Sequence, residues 1–74
     1  MTSPKARLAL AIRRTNAAYG ALPDGIRESV EIGSIVALEA AVDTALAAGD
    51  DLAAIRGIEA WEAQALRTFA EAAK

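Results

Sequence analysis

Two clusters of turn residues, Leu22-Pro23-Asp24-Gly25 and Gly49-Asp50-Asp51, cut this chain into three segments that each repeat their apolar residues at helical spacing. Pro23 fixes its own φ and disfavours helix for Leu22, and Asp24 is placed to cap the helix that follows. Gly49 suits the left-handed position that ends a helix, and either Asp50 or Asp51 can cap the next one. No stretch keeps up the alternation that a strand requires. The expected fold is all-α: a three-helix arrangement built on a long antiparallel helical hairpin, with helices over about 4–19, 25–48 and 51–73.

Composition agrees with this reading. The large apolar residues are mostly Leu, Ile and Val, the aromatics are Tyr19, Trp61 and Phe69, and Ala fills much of the rest. Alanine has the best helix propensity and offers little to a pleated surface. Seventy-four residues lie near the lower limit for one self-sufficient core, so a single domain, 1–74, is expected. Within it, residues 1–23 form a basic N-terminal helix and 24–74 an acidic hairpin.

The faces follow from the spacing. In the first helix Ser3 is the N-cap, Pro4 takes the first helical position and Gly20 stops it. Leu8, Ala11, Ile12, Thr15, Ala18 and Tyr19 share one face, while Arg7 and Arg14 lie opposite with Leu10 between them. The second helix carries two apolar stripes. Ile35, Leu38, Val42 and Leu46 are spaced like the core positions of a heptad. Val30, Gly33, Ala37, Ala41, Thr44 and Ala48 make a small-residue stripe that lets another helix approach closely, so Ala41→Leu should disrupt packing. The third helix puts Ile55, Ile58, Trp61, Ala65, Phe69 and Ala72 on one face. Trp61 reads as core, Gly57 as a weak point, and Glu62 as leaning out from the stripe edge, since burying an unpaired charge is costly.

The missing residue types exclude a good deal of chemistry. Without cysteine there is no disulfide or thiolate metal site, and without histidine the usual zinc ligands and the side chain that titrates near neutrality are gone. Ser3, Ser29 and Ser34 therefore have no histidine base, and Glu28 with Glu31 reads as a solvated first-turn pair. Asp50 and Asp51 are explained by capping and make a poor cation cage. We expect no catalysis, no cofactor, no metal and no small-molecule substrate. The longest apolar stretch, Ile32 to Val42, is broken by Glu39 and too short to span a bilayer. The start Met-Thr-Ser-Pro-Lys-Ala-Arg carries no leader cleavage site, which leads us to expect a cytoplasmic location. The preference for Ala and Arg over Lys and Asn suggests a bacterial or phage genome rich in GC.

Charge is unevenly distributed. Residues 1–23 hold Lys5, Arg7, Arg13 and Arg14 and no acid, whereas ten carboxylates beyond them face only Arg27, Arg56, Arg67 and Lys74. Such a basic arm suits nucleic acid, but the chain is acidic overall, with a net charge of −2, and an acidic protein surface suits it better. Arg7, Leu10, Arg13 and Arg14 are the residues expected to touch an outside partner. A second helix apolar nearly all round is a buried helix, so Ile35, Leu38, Val42 and Leu46 are expected to serve self-association, most simply as a homodimer.

The stretch Ala-Leu-Ala-Ala-Gly-Asp-Asp-Leu-Ala-Ala-Ile-Arg, residues 45–56, resembles a tetratricopeptide-type helix pair and is similar to oligomerisation hairpins of phage terminase small subunits. The tetratricopeptide spacing does not recur, and no residue roles are carried over. The function expected is a helical protein–protein interaction module: a self-associating adaptor, assembly factor or small regulator. The alternatives are a nucleic-acid accessory protein of the terminase-small-subunit kind, using the basic first helix, and a small inhibitor that blocks a host protein.

Overall fold

Ser3 Oγ accepts the Ala6 N–H at 3.2 Å, and Pro4 follows it as the first residue of α1 (Pro4–Gly20). The computed structural model describes residues 3–74; Met1 and Thr2, part of the start read as leaderless, lie outside the described residues. Gly20 is the last helical residue of α1, with Ala21 as its C-cap in ordinary right-handed geometry. Pro23 then introduces α2 (Asp24–Ser29), a helix of six residues. Asp24 does not cap it as the sequence suggested. It is the first helical residue instead, and its carboxylate pairs with Arg27 one turn on.

The second predicted helix, 25–48, is two helices, because the chain leaves helical geometry at Val30 before entering α3 (Gly33–Ala47). Local chemistry explains the break. Val30 and Ile32 are β-branched and Gly33 is a poor helix former, so propensity is low at three of four consecutive positions. The Glu31 carboxylate accepts the Gly33 N–H at 2.9 Å, offering the backbone a partner other than a helical carbonyl. Val30 takes an extended ψ of 129°, and its side chain still packs against the core, as does Ile26.

The second turn forms as expected. Gly49 has φ of +72°, a conformation that favours glycine, and Asp50 Oδ1 accepts the Ala53 N–H at 3.1 Å at the head of α4 (Asp51–Ala72). The all-α fold is thus made of four helices, with no strand among the described residues.

The centre is α4. Both α1 and α3 pack on it and scarcely touch each other. Arg7 meets Glu62, and the Tyr19 and Phe69 rings meet at 5.3 Å, so α1 runs parallel to α4. Across the hairpin α3 runs antiparallel to it, with Val42 against Gly57. The core joins Ala11, Leu22, Ile35, Val42, Ile58, Trp61, Ala65 and Phe69. Trp61 lies within it, as its place in the stripe predicted. Close approach depends on Ala11, Ala54, Ala65 and Gly57; a Cβ on Gly57 would lie 3.1 Å from Val42 Cγ2. The small-residue stripe predicted for that role looks the other way. Gly33, Ala37, Ala41, Thr44 and Ala48 are exposed, so Ala41→Leu meets no helix in this chain.

Candidate functional site

The residues expected to serve self-association are those that hold α3 to its own chain. Ile35 and Val42 are buried in the core, and Leu38 and Leu46 are half-buried against it. A heptad-spaced stripe on a hairpin helix meets the adjoining helix first, because the turn has already brought that helix alongside. Ile35 and Val42 are thus covered within the chain, and Leu38 and Leu46 in part.

The predicted partner face is turned only partly inward, with Arg7 and Leu10 half-buried and Arg13 and Arg14 exposed. Glu62 is buried, contrary to the expectation that it leans out, and its Oε1 accepts from Arg7 Nη2 at 2.8 Å. Arg14 Nη1 stands 3.8 Å from the other carboxylate oxygen. Arg7 and Arg14 are one heptad apart, so both flank Ala11 and straddle the one acid within the apolar arc of α4. The 2.8 Å charge-assisted hydrogen bond offsets part of the desolvation cost that had argued for exposure, while Arg7 Nη1 and Glu62 Oε2 are buried with no hydrogen-bond partner among the described residues. Of the four partner residues, Leu10 is half-buried and Arg13 alone is exposed without an acid partner in the described residues. The signal available was the lone acid of the α4 stripe together with two arginines at heptad spacing.

What remains open is a cleft between α1 and α3. It exists because those helices share α4 as a support and do not close on each other. Two adjoining compartments of about 220 and 150 Å³ form it, with Trp61 and Glu39 common to both. Leu8, Ile12, Thr15, Asn16 and Tyr19 make the α1 wall. Ile32, Ile35, Val36, Glu39, Val42 and Asp43 make the opposite wall, and Trp61, Ala65 and Phe69 the floor. Of the five exposed large hydrophobics among the described residues, Ile12, Tyr19, Ile32 and Val36 border this cleft, and Leu52 lies elsewhere. Apolar surface gathered in this way marks a contact site more than scattered exposed residues do.

Its polar groups are few, and two of them, on Thr15 and Tyr19, are engaged. Thr15 Oγ1 donates back to its own helix, 3.0 Å from the Ala11 carbonyl, and Tyr19 Oη donates to the Arg27 carbonyl at 3.2 Å, fixing the ring at one end. The Trp61 indole N–H is buried with no acceptor among the described residues. Glu39 and Asp43 sit one turn apart on α3, and neither has a cation within 4.0 Å among the described residues. The arrangement provides contact area and negative charge. None of the described helices is long and apolar enough to cross a membrane.

No family model matches this chain, and neither does any curated protein or solved structure. The two resemblances noted for residues 45–56 therefore carry no residue assignments.

Proposed function

We propose that this chain is a non-catalytic helical interaction module, and that it binds protein through the cleft between α1 and α3. The supporting observation is the gathering of Ile12, Tyr19, Ile32 and Val36 around a floor of Trp61, Ala65 and Phe69. A long groove between two helices fits an amphipathic helix, whose anchors recur every three or four residues. The nucleic-acid reading loses ground, because Arg7 and Arg14, half of the basic residues of α1, are engaged by Glu62. Self-association through Ile35, Leu38, Val42 and Leu46 is less favoured, since Ile35 and Val42 are buried in the core and only Leu38 and Leu46 keep part of their surface.

The test is a library of displayed helical peptides sorted on the full chain, with each binder then measured on Ile12→Asp/Val36→Asp. Both positions are exposed, so circular dichroism and melting temperature should stay at wild-type values. The expected result is binders whose affinity falls at least about tenfold on the variant, as truncating central apolar contacts typically costs more than 1 kcal/mol. Binders indifferent to the variant, or none at all, overturn the proposal.

A further inference from the structure

The charge of the cleft narrows what can occupy it. Among the described residues, Glu39 and Asp43 line the α3 wall with no cation within 4.0 Å, and no basic side chain lines either compartment. Among the described residues, Arg7 and, more distantly, Arg14 face Glu62, and Arg27 pairs with Asp24, so none of the three is a countercharge for this wall. A two-fold contact through the cleft would set this patch against itself. Its α3 wall would then meet either the same acids or the uncharged α1 wall of Leu8, Ile12, Thr15, Asn16 and Tyr19, and in neither case a base. A second copy cannot supply the missing countercharge from this patch.

Length sets the size of the occupant. The α1 wall runs from Leu8 to Tyr19, and the rise between them at about 1.5 Å per residue makes a groove of about 16 Å, or about three helical turns. Resting on the reading of the cleft as a protein-binding surface, we infer that it accepts about three turns of an amphipathic helix from a different protein, with lysine or arginine flanking the apolar stripe toward Glu39 and Asp43. The apolar stripe seats over Trp61, Ala65 and Phe69, and the basic flank supplies the countercharge of the α3 wall.

The probe is a designed peptide of about four helical turns with leucines at helical spacing and lysines on both flanks, beside a twin in which every lysine is glutamate. Affinity for the full chain is measured at low ionic strength, and the indole N–H resonance of Trp61, the sole tryptophan, reports occupation of the floor. We expect the lysine peptide to move that resonance and bind about tenfold more tightly than its twin, with Glu39→Lys/Asp43→Lys reversing the order. Both peptides moving the indole signal with equal affinity leaves the cleft as a binding surface and overturns the charge assignment. Neither peptide moving it overturns this inference and the function it rests on. A two-chain particle at low and high salt, dissociated by Ile12→Asp/Val36→Asp, makes a second copy the occupant and overturns the heterologous partner.

Discussion

Arg7 and Arg14 sit on the same helix, face the same carboxylate and differ in how much water surrounds them. The Arg7 side chain is 21% exposed and bonds Glu62 at 2.8 Å, while that of Arg14 is 54% exposed at 3.8 Å. Removing one partner of a buried pair leaves the other charge uncompensated, whereas a solvated pair contributes little. Arg7→Ala should therefore lower unfolding free energy by about 3 kcal/mol, and Arg14→Ala by less than about 1 kcal/mol. Urea denaturation checks the contrast, and equal losses would show that Glu62 treats the two arginines alike. At this scale, what could be read in the sequence was local. Ser3 and Asp50 cap helices because the groups they accept from lie three residues away, and Gly49 marks a left-handed turn by its type. The burial of Glu62 could not be read in that way, since its partner lies 55 residues distant and only the fold brings them together.

Among the elements, α3 and α4 are in direct contact where Val42 meets Gly57. Propensity alone says that replacing a mid-helix glycine by alanine gains roughly 1 kcal/mol. Packing opposes it. The new methyl would lie 3.1 Å from Val42 Cγ2, and Val42 is a stiff β-branched side chain held in the core with almost no exposed surface to retreat into. Overpacking costs typically 1–3 kcal/mol, so Gly57→Ala should leave the protein no more stable, with a net loss of about 1 kcal/mol. A higher melting temperature in the variant would show that Val42 yields. Gly57 read from sequence as a defect and is in the structure a point of contact. The same scale explains the division of the second predicted helix. Apolar spacing continues through Val30 and Ile32, so periodicity reads one helix, while Glu31 and two β-branched residues end α2 and restart the chain as α3.

For the molecule as a whole, three amphipathic segments were legible, but not which of them would be central. Both flanking helices choose α4, whose stripe from Ala54 through Ile58, Trp61 and Ala65 to Phe69 is the most continuous in the chain. That choice turns the expected association stripe inward and exposes a different surface, formed by residues of two helices that are not neighbours in sequence. A cleft of this origin has no motif, because neither wall is a site by itself.

Because α1 and α3 hold to α4 and scarcely to each other, anything seated between them is a brace joining two parts of the molecule that the chain leaves unjoined. A ligand that binds only the folded form adds RT ln(1 + [L]/Kd) to its stability, about 2.7 kcal/mol at a hundredfold excess over Kd. In a domain this small, each kcal/mol raises the midpoint by about 4–8 °C. Thermal shift can thus sort candidate partners by the heat they let the fold withstand, whatever their identity. A cleft-seated helix should raise the melting temperature by on the order of 10 °C, and the same helix should leave Ile12→Asp/Val36→Asp melting where it did alone.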